Sequence, residues 1–449
     1  MNNFSQIMSR DRALSFLRGY FLKELDRTTI CFLVFLTPLF FLPWTINYLD
    51  LNKQALFSIL LFIAFLFAVL KYLSSGELKI NKSFVNIPVL FLFAAYGLST
   101  IFSLSKYNSF SGWSSGVANS LLTLLLFVVL YFLIIHILKG ERELSLLLLL
   151  LVISGSLAAA LNIFQVFGKF IFPWDFARQI SFNTIGTPFA IALFSAVLMP
   201  LAIILGLEAR KSMRWLLLII GILLLSNLVL INFEVAWLVL GAEMFVLFCS
   251  GMFGFGAKKN KLALISIALL LVSLVFLIIK FVPFGFLDMP REVFLSQKAT
   301  INIAEKTLLA SPLLGSGPGT FAYNYSKFKP ESINQEIFWN LRFGSGASEV
   351  LNGIITTGIL GFLALLFVFG SFLWLGFRYL KSKMTQKDND SGWLLGVGIV
   401  SGFVGLILGY FLYPANFSLW LIFWIFLSGL VVLSKKKDAE FEIRSEAKA

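Results

Sequence analysis

The sequence predicts an all-α fold: a polytopic helical membrane protein with about 12 transmembrane helices and one large helical loop outside the membrane. Three observations predict it. Of 449 residues, 59% are hydrophobic and only 13% charged, at a mean hydropathy of +0.90. A soluble domain carries roughly 25% charged residues and could not hide this much apolar surface. Runs of about 20 apolar residues recur along the whole chain, the length that crosses a hydrocarbon core. Lys and Arg gather in alternate connections between those runs, as they do when one side of a membrane holds the excess.

The elements follow in order. Residues 1–27 form a basic amphipathic lead-in, with Phe16, Leu17, Phe21 and Leu22 on one side, suited to the membrane interface. No cleavable leader is expected, because this stretch is polar and the first long apolar run is itself a span. Twelve spans are expected at 28–48, 54–72, 86–104, 118–138, 144–166, 186–207, 214–232, 234–254, 262–282, 351–377, 392–412 and 416–434. The organisation is therefore a 1–27 segment, spans one to nine within 28–282, a loop at 283–350, spans ten to twelve within 351–434, and a tail at 435–449.

With the N-terminus in the cytoplasm, 25 of the 36 Lys and Arg residues fall on the inner side, against 13 acidic residues. That leaves +12 of the net +13 on one side, so the charge is a topology signal and nucleic acid is not an expected partner. Both termini are expected in the cytoplasm, and loops 105–117, 167–185 and 283–350 outside. Cys31 and Cys249 both lie in apolar runs and offer neither a disulfide framework nor a metal site. The single histidine, His136, excludes histidine-cluster metal chemistry and sits near the cytoplasmic end of span four. No metal and no cofactor is expected.

The large loop reads as folded. Residues 291–310 place Val293, Phe294, Ile301, Ala304 and Leu308 at helical spacing, and Ser311-Pro312 stops that helix. A second amphipathic piece holds Phe321, Tyr325 and Phe328, and a third covers Ile333 to Phe343. Six basic and six acidic residues balance across the loop, Glu292 among the latter. It reads as a helical cap over the bundle. Trp44, Trp113, Trp174 and Trp339 fall at the outer interface, where aromatic belts form and where a ring can also stack on a sugar.

Residues 311–321, S-P-L-L-G-S-G-P-G-T-F, followed by a helical stretch and then G-I-L-G at 358–361, resemble the signature of the O-antigen ligase and polymerase superfamily. Ser105 to Gly112 resembles that family's first outer loop. Phe182-Asn183-Thr184-Ile185-Gly186-Thr187-Pro188 is similar to its polar turn entering the sixth span, and Ala236-Trp237-Leu238 to its opening of a later one. The resemblance implies a glycosyltransferase C-like membrane enzyme of polysaccharide and cell-envelope biosynthesis in the bacterial inner (cytoplasmic) membrane. Such an enzyme moves a glycan from an undecaprenyl pyrophosphate carrier to a hydroxyl of a glycan, lipid or protein acceptor, without nucleotide. The family's arginines hold the pyrophosphate and a loop histidine assists the acceptor. Here the histidine position falls near Ala347 or Ser348, and an arginine position near Glu234.

A pyrophosphate leaving group calls for cations placed where charge develops, and the arginine fork does this best. Arg178, Arg291 and Arg342 are the outer arginines, with Arg178 and Arg342 the leading pair; the alternative for each is an interfacial arginine facing lipid headgroups. Glu349, at the head of span ten, is the best candidate for the base on the acceptor, with Arg342 beside it as a catalytic candidate; its alternative is a helix-head carboxylate favoured by the dipole. Glu234 is the second base candidate. Gly315 to Gly319 forms a possible anion nest, though glycine-rich turns are more often plain turns. Glu243 lies nine residues into its span, about 13 Å deep at ~1.5 Å per residue. A carboxyl there needs a reason, and a structural one is favoured over a proton path. Two other classes stay open: a transporter or flippase for a lipid-linked or small solute, and a non-catalytic membrane scaffold.

Overall fold

A computed structural model describes residues 24–45, 47–75, 77–112, 116–252, 257–279, 292–331, 333, 339–384, 390–435 and 440–444. They form a helical membrane protein. Helices α1 (24–36), α2 (Asp50–Ser75), α3 (Asn86–Ile101), the short α4 (Lys106–Ser111), α5 (Leu121–Ile137), α6 (Glu141–Val166), α7 (Pro188–Glu208), α8 (Lys211–Ile231), α9 (Glu234–Met252) and α10 (Ala257–Ile279) come first. The loop contributes α11 (Gln297–Ala310) and α12 (Phe321–Phe328), and α13 (Glu349–Met384), α14 (Asp390–Leu412) and α15 (Phe417–Ser434) follow. One short antiparallel pair, β1 (Glu77–Asn81) with β2 (Glu440–Arg444), joins the connection after α2 to the C-terminal tail.

Among the described residues nine helices are long and apolar enough to cross a membrane: α2, α6 to α10 and α13 to α15. The apolar α3 and α5 are shorter, at 16 and 17 residues. The first expected span, 28–48, is helical only to residue 36. Pro38 explains the stop: its ring disfavours helical backbone at the preceding residue and it has no N–H to give.

The centre of the bundle is α15, α7 and α14, whose apolar windows are 89%, 83% and 78% buried, whereas α2 shows 17% and lies on the outside. Close approach at the centre depends on small residues along α14. A Cβ added at Gly402 would stand 2.6 Å from Phe426 of α15, and one at Gly409 would stand 3.2 Å from Leu193 of α7. The loop carries a small core of its own, in which Leu295, Ile303, Ala304, Phe321 and Tyr325 pack against Ile355 of α13. Its first helix begins at Gln297 and not at 291, because Ser296 caps it by accepting from Ala299 N at 3.2 Å. Expected apolar contact Ile301 is exposed, and Thr300 and Thr307 take the buried face beside Ile303 and Ala304. The expected third piece, Ile333 to Phe343, is a turn followed by irregular backbone over 339–343, and 334–338 lie outside the described residues.

The two glycine motifs are one structural device. Helix α13 breaks at Gly358, whose φ of 64° and ψ of −164° interrupt the ladder. The 312–317 loop supplies the missing partners: Ser316 N and Gly317 N donate to Ile355 O (3.3 Å) and Thr356 O (2.7 Å), while Pro312 O and Leu313 O accept from Ile359 N (3.0 Å) and Leu360 N (3.1 Å). Ser99 Oγ of α3 closes the joint on Leu314 O at 2.7 Å and Thr356 O at 3.1 Å. A buried backbone group without a partner costs about as much as a lost hydrogen bond, so the loop and the break stabilise each other.

Candidate functional site

Helices α2, α5, α7, α13 and α15 all begin at the end of the bundle that the loop covers. Four of these heads, those of α5, α7, α13 and α15, are set by polar caps. Ser120 accepts from Thr123 N (3.2 Å), Thr187 from Ala190 N (3.1 Å), Asn416 from Leu419 N (3.0 Å), and Ser348 from Leu351 N (3.2 Å). Between these heads and the loop lies a cavity of about 570 Å³. Asp50, Asn119, Thr187, Glu292, Asn352, Tyr413 and Asn416 line it together with Tyr48 and Phe321, and among the described residues no Lys or Arg does.

Asp50 and Glu292 are the carboxylates of this wall, and Glu292 ends a chain of hydrogen bonds. Hydrogen bonds reach it in one direction: Ala190 N–H donates to Thr187 Oγ1, the Thr187 hydroxyl meets Tyr413 OH at 2.7 Å, and Tyr413 OH donates to Glu292 Oε1 at 2.7 Å. Tyr413 gives its only proton to Glu292, so Thr187 must be the donor in the middle step. Glu292 Oε2 has no protein partner among the described residues. Burial raises the Glu292 carboxyl above its ordinary value, against the opposing hydrogen bond from Tyr413. Burial, and then the charge of Glu292, raise the Tyr413 phenol as well.

Glu349 sits behind the wall at 2% exposure. Its Oε2 accepts from Ala415 N at 2.9 Å and its own N–H donates to Tyr413 O at 3.2 Å, so it ties the head of α13 to the 413–416 turn. That turn carries Tyr413, so Glu349 controls the position of the group bonded to Glu292. Ala347 and Ser348, where the resembled family has its histidine, are both buried: Ala347 N donates to Thr300 Oγ1 at 3.0 Å, and Ser348 is the helix cap.

The arginines stand apart from the cavity wall. Arg178 follows a short 3-10 turn, Asp175–Ala177, and is exposed; Arg342 is exposed too, and neither lines the cavity. The loops that carry them do reach it. Phe176 packs on Tyr48 with ring centroids 4.6 Å apart, and Gly344 and Ser345 form part of the wall two residues beyond Arg342. Arg291 lies outside the described residues, immediately before Glu292. Glu234 is exposed at the head of α9 and away from the cavity wall. Trp44, Trp174 and Trp339 are exposed at 77%, 38% and 60%, and Trp113 lies outside the described residues. The Gly315–Gly319 nest has two of its N–H groups committed to the broken helix, which favours the plain structural turn.

Two residues escape sequence reasoning. Glu292 reads only as one charge in a balanced loop, and nothing in its spacing marks it. Lys53 is fully buried in the first turn of α2, where its ammonium donates to Thr184 O (2.5 Å), Ile185 O (3.2 Å) and Ser418 Oγ (2.9 Å). A signal for it exists: Asn52, Lys53 and Gln54 are three consecutive polar residues at a span head, and all three are buried. Glu243 is fully buried between α9 and α14, in space that the missing side chain of Gly405 leaves open, and neither carboxyl oxygen has a partner among the described residues. Only its backbone carbonyl is engaged, by Ser401 Oγ at 2.7 Å. Among the described residues no group of three or more His, Cys, Asp or Glu is placed to hold a metal ion.

The chain was compared with protein-family models and with curated proteins. No family model matches it and no curated protein matches it.

Proposed function

We propose that the protein is a membrane glycosyltransferase, O-antigen ligase-like or polymerase-like, that moves a glycan from an undecaprenyl pyrophosphate carrier to an acceptor hydroxyl. In this reading all twelve apolar helices cross the bacterial cytoplasmic membrane, both termini are cytoplasmic, and residues 283–350 cap the outer face. The observation that carries it is the cavity beneath that cap, whose wall is built from carboxylates and amides, Glu292 among them.

Such a lining suits an uncharged, hydroxyl-rich ligand: carboxylate and amide oxygens accept hydrogen bonds from hydroxyls, and Tyr48 and Phe321 offer ring faces. The acceptor oxygen attacks the anomeric carbon of the donor sugar. The bond from that carbon to the carrier's phosphate oxygen breaks as the new glycosidic bond forms. The acceptor's proton passes to a carboxylate and the pyrophosphate leaves on its lipid. Glu292 takes the base role because it lies in the cavity wall at the end of the Thr187–Tyr413 hydrogen-bond chain, which Asp50, the other carboxylate of the wall, does not join; Glu349 holds the Tyr413 turn in place. Arg178 and Arg342, on the two loops at the rim, are assigned to the pyrophosphate. The helix heads around the cavity add partial positive charge, which favours an anion at that end.

Turnover of a lipid-linked oligosaccharide by purified protein in liposomes tests this. Glu292→Gln is expected to lower transfer at least about 100-fold, within the usual range for a general base. Arg178→Ala and Arg342→Ala are expected to abolish it with expression unchanged. The base must be ionised, so the acid limb of the rate profile should lie above 4.5, the ordinary glutamate value, because burial raises this group. Wild-type turnover in all three variants would remove the site. Transport is the second reading, favoured by Glu243, whose buried carboxyl has no partner among the described residues; solute flux that needs Glu243 would support it.

A further inference from the structure

A second opening lies at the other end of the bundle. It is a groove of about 770 Å³ between α7, α8 and α10, walled by Met199, Ile203, Leu218, Ile222 and Ile265 among other apolar side chains. Helix α7 reaches both openings: Ala190 lines the first and residues from Met199 to Leu207 line the second. Three cations, Arg214, Lys258 and Lys261, stand at one end of the groove, in the first turns of α8 and α10.

From Arg214 to Leu225 on α8, and from Lys258 to Leu269 on α10, the groove runs eleven residues along each helix. Eleven residues rise about 16 Å, and a leaflet is half of a hydrocarbon core about 30 Å thick. The groove is thus one leaflet deep, apolar along its length, and cationic where headgroups lie. Gly221 keeps it open, with nothing within 4 Å of where its Cβ would stand.

The cations are available. All three are exposed. Among the described residues neither Lys258 nor Lys261 has an ion pair, and Arg214 donates only to Ala209 O at 3.2 Å. Glu208, the nearest carboxylate in sequence to Arg214, is not part of the groove wall. A third opening, beside Trp374, differs: Lys435 there is bonded to Ile135 O and Leu138 O, and Arg378 lies 5.2 Å over the Trp374 ring.

The geometry points to a binding site for one anionic phospholipid, its acyl chain in the α7–α8–α10 groove and its phosphate against Arg214, Lys258 and Lys261. Bulk lipid would fill an apolar groove without regard to headgroup; three unpaired cations at its mouth confer a preference for negative charge.

Native mass spectrometry of the full-length protein in detergent tests the site, with phosphatidylglycerol and phosphatidylcholine of identical chains added in steps. The first phosphatidylglycerol is expected to bind at least tenfold more tightly than the first phosphatidylcholine. The combined Arg214→Ala, Lys258→Ala and Lys261→Ala variant should bring the two within about twofold; these side chains are exposed, so the fold should survive. Gly221→Leu fills open space without touching the cations and should weaken the first phosphatidylglycerol tenfold at an unchanged melting temperature. Gly221→Ala, a smaller change, should give a smaller loss of the same sign. Equal affinities in the wild type, a preference kept by the triple variant, or unchanged binding in both Gly221 variants would overturn the proposal.

Discussion

Lys53 and Glu292 are charges held at the same end of the bundle, and the structure uses them differently. The Lys53 ammonium is spent on the protein itself: it joins the 184–185 turn to Ser418 of α15 and so fixes the Thr187 cap beside the cavity. Lys53→Met keeps the bulk and removes the donors. It should lower stability by about 1–3 kcal/mol, the cost of leaving buried acceptors unsatisfied, read as a lower melting temperature in detergent; an unchanged melting temperature would contradict this account of the turn. Glu292 lies in the cavity wall, and one of its oxygens has no protein partner among the described residues. Its importance was not legible in the sequence, because its partner Tyr413 lies 121 residues away and no local pattern records that contact. Glu349 was legible as a position, at the head of a long apolar run. Its burial and its bond to Ala415 depend on a turn that the run itself does not specify.

Helices were more legible than side-chain partners, because a span must be long and apolar whatever it packs against. Expected spans such as 392–412 and 416–434 fall within a few residues of the observed α14 and α15. The exceptions have local causes. Pro38 cuts short the first helix, and Ser296 moves the start of α11. The S-P-L-L-G-S-G-P-G and T-T-G-I-L-G stretches were visible as motifs but not as partners, since interlocking needs the break at Gly358 to be seen. Gly315 tests that joint. It has φ +64°, and a Cβ would stand 2.6 Å from Gly358 N. Gly315→Ala should cost more than the roughly 1–2 kcal/mol of left-handed backbone alone. Gly353→Ala, on α13 itself with nothing within 4 Å of the new methyl, should be neutral or slightly stabilising. Equal melting temperatures for the two variants would show that the loop is not a splint for the helix.

At the scale of the whole molecule, the two ends of the bundle differ in chemistry. One gathers helix heads, carboxylates and amides around a cavity under a folded loop; the other carries an apolar groove with cations at its mouth. The bias of Lys and Arg across the connections is legible in the amino-acid order alone, and it assigns the cationic end to the cytoplasm in the proposed orientation. That orientation makes the chemistry one-sided. The direct measurement is transfer in proteoliposomes of uniform orientation, with the polyprenyl pyrophosphate-linked donor in the bilayer and a membrane-impermeant hydroxyl acceptor supplied to one face at a time. Glycan should appear on the acceptor only when it is supplied to the face that carries residues 283–350. Transfer to an acceptor supplied at the Lys- and Arg-rich face, or transfer from neither face, would contradict the account.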